Sequence, residues 1–476
     1  MMPHPRAYLE QIDLAGCESV YRSALRILEE TGFAVHSEEG CRALAERGAR
    51  VDMDAKRAWI DSAMAEKHLA MAPRTWMFHA RNPAKSVEVG SGSLLVSPGY
   101  GSPSVADRHG SRRNAAMADF EAFASLAGRA DCIDVTGGML VEPLDVPASL
   151  RPLETTRALI ERSDKPFLGS AAGAEGARES LEMARIALGG LRGKAAVMGL
   201  VNINSPLRLD ARMAGALLEY AKAGQPVLLT PGILMGVSAP VTAAGAAAQA
   251  FAELVACVTL VQAVRPGTPV IVGTGGFGSD LRTGGPGFGR PENALGTVVG
   301  AQVARRLGLP FRCSGAVTGS RLPDIRSGYE RMMTAFTAWA AGAHLCLQGA
   351  GTLDSINSMS YEQFVIDVEI WGYIRRLADR PRVDTETLAL DLISSLPSEY
   401  LGAAHTVEHM RREMASPLLA TAKPYEEWRA EGSPDAVELA TPWIGRLSGA
   451  GSVQPLEEGA RRELDRYVKS RRESLV

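Results

Sequence analysis

The chain has 476 residues, 46% of them hydrophobic, and a formal net charge of −3 at pH 7. This length predicts a large domain with smaller attached parts rather than one small core. The weak charge, without runs of Lys or Arg, argues against nucleic-acid and membrane-surface partners. Apolar stretches are interrupted before the ~18 residues of a membrane-spanning helix, and the N-terminus lacks a signal-peptide pattern.

Residues 1–90 predict an N-terminal segment of helices and a hairpin. "CESVYRSALRILEETGFAV" has the pattern of an amphipathic helix that ends at Gly32, and "SEEGCRALAERGARVD" predicts a second helix with Ser37 as its N-cap. "WMFHA" and "SVEVG" predict a short β-hairpin.

Residues 91–380 repeat one pattern eight times: a short apolar run, a loop rich in Gly, Pro or Ser, and a helical segment. Eight βα units in sequence predict an α/β fold, a closed (β/α)8 TIM barrel of parallel strands. A doubly wound open sheet is the alternative, which the lack of a dinucleotide-binding fingerprint disfavours. The apolar runs lie at 94–100, 132–140, 166–172, 195–204, 226–232, 269–276, 310–315 and 344–351.

Residues 381–476 lose this pattern and predict a C-terminal helical extension. It contains "HTVEH", in which His405 and His409 have the spacing of a zinc-binding pair. No third ligand is evident, so we favour packing and predict no metal. The six cysteines lack Cys-x2-Cys spacing, which predicts reduced thiols and a cytoplasmic location.

The active site of such a barrel lies at the carboxyl ends of its strands. No lysine follows a strand, as a Schiff base would need, and the one histidine on a strand, His344, is at its amino end. "SGAVTGS" and "GAGTLDS" lack a phosphate fingerprint, and "GTGGFG" (273–278) predicts a substrate-covering loop. The rim candidates are Tyr100, Asn202, Asn204, Asp280, Arg282, Arg321, Asp324, Gln348 and Asp354, with Tyr329, Glu330 and Tyr361 in the first turns of the following helices.

Several ordered motifs carry a resemblance to a known family. They include "GSRRNAAMAD", "VNINSPLRLD", "PGILMGVSAPVTAAGAAAQAFAE", "GSDLRTGGPGFGRPE", "SGYERMMTAFTAWAAGAH" and "YLGAAHTVEHMRREM". Together they resemble the trimethylamine methyltransferase family, including its non-pyrrolysine, glycine-betaine branch. The resemblance implies methyl transfer from a methylated amine to the cobalt of a separate corrinoid (cobalamin) protein, with no tightly bound cofactor in this chain. Members that use trimethylamine carry pyrrolysine in the loop after the seventh strand, where this chain has Ser320 and Arg321.

That departure favours a quaternary amine as methyl donor, because its leaving group is a neutral tertiary amine that needs no acid catalyst. Catalysis then depends on orientation and the exclusion of water. Asp324 and Glu330 are the catalytic candidates, since they or Asp280 would supply a counter-charge to the cation. Arg321 or Arg282 would bind a substrate carboxylate. The candidate aromatic walls are Tyr100, Phe277, Phe288, Tyr329 and Tyr361.

Three alternatives stay open at this point. The same barrel could use another methyl acceptor, such as a folate or free cobalamin. It could use a sulfonium donor. A third alternative is a betaine-binding homologue without turnover. The Ala-rich helix faces are compatible with a homo-oligomer.

Overall fold

The structure, a computed structural model, describes residues 1–274, 276–420, 422–449, 451 and 453–475. Seven parallel strands form its centre. They are β1 (Ser93–Val96), β2 (Phe167–Gly169), β3 (Val197–Ile203), β4 (Val227–Pro231), β5 (Val270–Gly273), β6 (Phe311–Ser314) and β7 (Leu345–Leu347). Their hydrogen-bonded order is β1-β7-β6-β5-β4-β3-β2, and the short strand Met2–Pro3 pairs antiparallel with β1.

The predicted run at 132–140 does not form a strand, although it lies between β1 and β2. The N–H groups of Asp134 and Val135 donate to Val96 O (2.8 and 3.2 Å). Thr136 N donates to Pro166 O at 2.9 Å, and Gly137 O accepts from the N–H of Leu168 at 2.8 Å. The structure therefore confirms a mixed α/β fold with a curled eight-stranded sheet. The regular strand that would complete the predicted barrel is replaced by an irregular segment.

Consecutive glycines explain this irregularity. Gly137 has a positive φ of 95°, which residues with a side chain rarely adopt. A Cβ atom at Gly138 would lie 2.9 Å from Tyr100 Cε2 and 3.0 Å from Leu168 Cβ. The segment therefore departs from strand geometry and packs closely against its neighbours.

Eight long helices follow or precede these strands along the chain. They are α1 (Met117–Arg129), α2 (Arg151–Arg162), α3 (Gly173–Ala187), α4 (Ala211–Lys222), α5 (Ala243–Val264), α6 (Pro291–Leu307), α7 (Ile325–Ala340) and α8 (Tyr361–Ala378). By length and composition α5 could cross a membrane, but 83% of its apolar window is buried inside the structure. Its Glu253 is fully buried and accepts from Ser205 Oγ (2.6 Å) and Leu207 N (2.9 Å). These contacts are those of a core helix.

The predicted hairpin is confirmed, and it covers the amino ends of the strands. Its strands are Trp76–Phe78 and Val87–Val89, joined through the 3-10 turn Pro83–Lys85. Phe78 pairs with Ala195, two residues before β3, and His79 N donates to Ala195 O at 2.7 Å. The hairpin packs on an inner apolar cluster of Leu95, Val135, Leu168, Met198, Leu200, Leu228, Ile271, Leu345 and Leu347.

The N-terminal helices are also confirmed. Gly32, with φ of 73°, follows the first helix, and Ser37 Oγ accepts from Gly40 N at 3.2 Å as the N-cap of the second. The helices are Leu14–Glu30, Glu38–Ala45 and Ser62–Leu69, beside a small sheet of Phe33–Val35, Arg50–Asp52, Arg57–Trp59 and Arg208–Leu209.

The chain beyond α8 is helical in its described parts, as predicted. Its last helix is bound to α2 and α3 through Arg472–Glu154 and Arg471–Glu175 ion pairs. In the "HTVEH" helix, His409 Nε2 lies 3.4 Å from Glu386 Oε1, and these residues with Glu408 place potential ligand atoms within 4.8 Å of one another. The helices are Thr385–Leu388, Leu390–Ser394, Ala404–Glu413, Tyr425–Ala430, Ala436–Gly449 and Glu458–Leu475.

Short strands cross the carboxyl side of the central sheet. One group of four is ordered Thr352–Leu353, Ser358–Met359, Ser104–Ala106 and Arg112–Asn114. A separate hairpin pairs Ser279–Asp280 with Gly285–Pro286. The connections after β1, β5 and β7 thereby form a rim above the strand ends.

Candidate functional site

Polar side chains replace apolar ones where the strands reach their carboxyl ends. Arg312 and Ser314 are register partners of Leu345 and Leu347, which belong to the inner cluster, so both face inward. Asn202 and Thr230 are partners of each other, two residues beyond Leu200 and Leu228. Asn202 is exposed although it faces inward. We call these four residues, with Ser97, the mouth.

Arg312 is the charged group of the mouth, and the sequence analysis did not select it. It is only 3% exposed. Its Nη1 donates to Thr230 Oγ1 at 3.3 Å and to Thr274 O at 3.2 Å, while its Nε has no partner. Burial lowers the pKa of Arg312 to about 10, so the guanidinium is still protonated at pH 7.

Tyr100 and Gln348, both predicted, are held together above the inner cluster. Tyr100 N donates to Gln348 Oε1 at 2.9 Å, and Gln348 Nε2 donates to Tyr100 O at 3.1 Å. Burial raises the pKa of Tyr100 to about 12. The ring is therefore a neutral phenol at pH 7, which presents an aromatic face and a hydroxyl.

Glu330 organises the loop that follows β6. Its carboxylate accepts from Thr318 Oγ1 (2.6 Å), Gly319 N (2.8 Å) and Arg326 Nε (2.7 Å). Burial alone would raise the pKa of Glu330, but the hydrogen bonds from Thr318, Arg326 and Gly319 outweigh it and lower the pKa. Asp324 caps α7, because its Oδ1 accepts from Ser327 N at 2.8 Å.

Arg321 and Asp354, also predicted, meet at the outer edge of this loop. Arg321 Nε lies 3.3 Å from Asp354 Oδ1, and Arg112 Nη1 lies 3.2 Å from Asp354 Oδ2. Asp354 N donates to Ser320 O at 2.7 Å, which joins the loops after β6 and β7. The side chain of Arg321 is 78% exposed. Its charge is therefore largely hydrated as well as paired.

Three predicted residues, Phe277, Asp280 and Arg282, line a cavity of about 430 Å³. Asp280 Oδ2 accepts from Arg290 Nη2 at 2.8 Å. Phe277 is fully buried against Gly296 of α6, where a Cβ atom would lie 2.6 Å from Phe277 Cγ. Gly275 of the predicted "GTGGFG" loop lies outside the described residues.

The structure does not bring the remaining candidates to the mouth. Asn204 Oδ1 accepts from Asp210 N at 3.0 Å, at the start of α4. Tyr329 is 61% exposed. Tyr361 stacks on Phe123 with ring centroids 4.3 Å apart and donates to Asp119 Oδ1 at 2.8 Å. The binding roles of all these residues stay predictions.

Comparison with known proteins agrees with this architecture. The family model for trimethylamine methyltransferase (MTTB) matches residues 2–476. A glycine betaine methyltransferase from Desulfitobacterium hafniense (strain Y51) is 36% identical over 419 residues, which is 87% of this chain and 87% of that protein. An L-carnitine:corrinoid methyltransferase from Eubacterium limosum is 26% identical and covers 76% of each chain.

A solved structure supports the fold. The monomethylamine methyltransferase of Methanosarcina barkeri (MtmB) aligns with a TM-score of 0.53 at 11% identity, over 97% of this chain and 89% of the other. At that identity the likeness concerns the fold alone. The family match spans almost every residue, and the resemblance drawn from the sequence motifs is confirmed. The chain is an enzyme of the methyltransferase class, and it belongs to the trimethylamine methyltransferase family.

Proposed function

We propose that this enzyme transfers a methyl group from a betaine-like quaternary amine to the cobalt of a corrinoid protein. The observation that carries the proposal is the chemistry of the mouth and of the Tyr100–Gln348 pair above the same inner cluster. Tyr100, Asn202, Thr230 and Gln348 are neutral hydrogen-bonding groups, and Arg312 is a cation at pH 7. The acids of the loop after β6 and the start of α7, Asp324 and Glu330, and Asp354 of the loop after β7 already accept hydrogen bonds or ion pairs.

Such a mouth suits a donor that needs no proton transfer. When the C–N bond of a quaternary ammonium breaks, its electron pair stays on nitrogen and a neutral tertiary amine leaves. The chain then has to orient the N–CH3 bond and exclude water from it. Tyr100 offers the aromatic face that attracts a cation without N–H groups. Asp324 and Glu330 contribute by holding the loop after β6 in place.

The methyl acceptor in this proposal is a separate corrinoid protein, which supplies a nucleophilic cobalt. It approaches the carboxyl side of the sheet, because the hairpin of Trp76–Phe78 and Val87–Val89 covers the opposite side. A cytoplasmic location belongs to the same proposal, since a corrinoid partner and reduced thiols fit that compartment.

The proposal is tested with a panel of methyl donors and reduced cobalamin as acceptor. Glycine betaine is expected to convert the acceptor to methylcobalamin, seen by absorbance, while trimethylamine is expected to leave it unchanged. Methyl transfer from a sulfonium but from no quaternary amine would support the alternative donor. Betaine binding without transfer to cobalamin or to a corrinoid protein would indicate a binding homologue.

Substitution of Tyr100 tests the aromatic contact. Tyr100→Phe keeps the ring face, so the KM for glycine betaine is expected to stay within about 2-fold, whereas Tyr100→Leu is expected to raise it by about 5- to 30-fold. Steady-state kinetics of both variants provide the comparison. An equal KM for Leu and Phe would remove Tyr100 from the cation site.

A further inference from the structure

We propose that the guanidinium of Arg312 binds the carboxylate of the substrate, and that it thereby selects zwitterionic quaternary amines. This inference rests on the proposed function and names the substrate group that the deep end of the mouth recognises. It assigns the anion site to a residue within a strand, in place of Arg321 or Arg282 on the rim.

Arg312 is a buried charge without a counter-ion among the described residues. Such an ion is strongly destabilised inside a protein. Arg331, which is equally buried, has Asp367 Oδ2 at 2.7 Å. Arg312 has no carboxylate oxygen within 4.0 Å in the described part of the chain, and its bonded partners are one hydroxyl and one carbonyl. A bound anion would supply the missing counter-charge.

Unpartnered polar atoms on the inner face of the strands support the same assignment. Arg312 Nε has no hydrogen-bond partner, and neither has the hydroxyl of Ser314 or Ser97. All three atoms are buried, where an unmet hydrogen bond is costly. Ser314 lies two residues beyond Arg312 on β6, and Ser97 directly follows β1. Donors of this kind match the several lone pairs of a carboxylate.

The position of Arg312 also fits the direction of methyl transfer. Its Nη1 is bonded to Thr230, and Thr230 is the register partner of the exposed Asn202. The guanidinium therefore lies level with Thr230 and Asn202, on the inner face of the strands. A substrate held there by its carboxylate places its ammonium group outward, toward Tyr100 and the side from which the acceptor approaches.

The rim arginines are poorer anion sites. Arg321 is largely exposed and already paired with Asp354. Arg282 is also exposed. An exposed ion pair contributes little to affinity, whereas charge pairs in desolvated sites are much stronger.

The test is calorimetric binding of glycine betaine, which requires no methyl acceptor. Arg312→Met is expected to weaken binding by about 100-fold or more, and Arg312→Lys, which keeps the charge but not the planar fork, by an intermediate factor. Arg22→Met, on an N-terminal helix with its side chain 74% exposed, is the control for loss of an arginine. Thermal unfolding of each variant verifies that it is folded. If Arg312→Met does not fold, the binding affinity of Arg312→Lys decides the question.

Choline, which lacks the carboxylate, separates this inference from the proposed function. The wild type is expected to bind choline at least about 100-fold more weakly than glycine betaine. In Arg312→Met the two affinities are expected to become similar. Unchanged betaine affinity in that variant would overturn the inference, as would loss of affinity in Arg321→Met alone. Methyl transfer from choline but not from betaine would overturn it too, while leaving quaternary-amine methyl transfer intact.

Discussion

Replacing Asp367 by asparagine is expected to lower the free energy of unfolding by about 3–5 kcal/mol, because it leaves Arg331 buried without its counter-charge. Both side chains are fully buried. Arg331 also donates to Ser327 Oγ (2.9 Å) and to the carbonyl of Ala316, and Asp367 accepts from Gly351 N at 2.7 Å. The pair therefore joins α7 and α8 to the loops after β6 and β7.

Chemical denaturation of Asp367→Asn against the wild type measures this effect. The matched control is the double variant Asp367→Leu/Arg331→Met, which removes both charges and fills similar space. It is expected to regain much of the lost stability, since replacing a whole buried pair by apolar groups is often neutral. A single variant as stable as the wild type would show that the pair does not hold these loops.

Glu330→Ala is expected to reduce both stability, by about 2–3 kcal/mol, and methyl transfer, because three hydrogen-bond donors lose their acceptor. Glu330→Gln keeps the shape and is expected to retain more of both. A methyl group at Gly289 would lie 2.0 Å from Glu330 Oε2, so Gly289→Ala should disturb the same loop without changing a charge. Similar losses in Glu330→Ala and Gly289→Ala would identify positioning as the role of Glu330.

The stability contributed by Glu330 has a defined pH dependence. Its pKa in the folded state is lowered from the model-peptide value of 4.5, so the folded state binds this proton less readily than the unfolded state. The contribution is fully present above pH 4.5 and is lost as the pH falls through the folded-state pKa. Glu330→Gln should show a shallower loss of stability below pH 4.5 in denaturation profiles. Parallel profiles for the two proteins would contradict this assignment.

The strands could be predicted because strands buried on both faces are continuous apolar runs. This rule failed for the run at 132–140. The Gly137–Gly138 pair bends the chain out of strand geometry, although the backbone of residues 134–137 keeps its hydrogen bonds to β1 and to the β2 region. Apolar composition thus identified the place of this segment between two strands. It could not identify its backbone conformation, which close contacts with Tyr100 and Leu168 decide.

The candidate site was harder to predict. Tyr100 and Gln348 were selected as candidates because they follow strands, and that rule also excluded Arg312, which lies within β6. The sequence did contain a signal for Arg312. It is a single arginine within the apolar run "PFRCSG", at a position where the alternation of side chains along a strand points inward. Tyr361 shows the opposite difficulty, because it was selected as a candidate but lies away from the mouth. The first turn of a helix can face either way, and here the ring packs on Phe123 of α1.

In the proposed reaction, a carboxylated quaternary amine donates its methyl group at this mouth. Glycine betaine with 13C-labelled N-methyl groups, the full-length enzyme and reduced cobalamin test it directly by NMR. We predict one labelled methyl on cobalt for each dimethylglycine formed, with no transfer from labelled trimethylamine under the same conditions. Transfer from trimethylamine but from no quaternary amine would contradict the account.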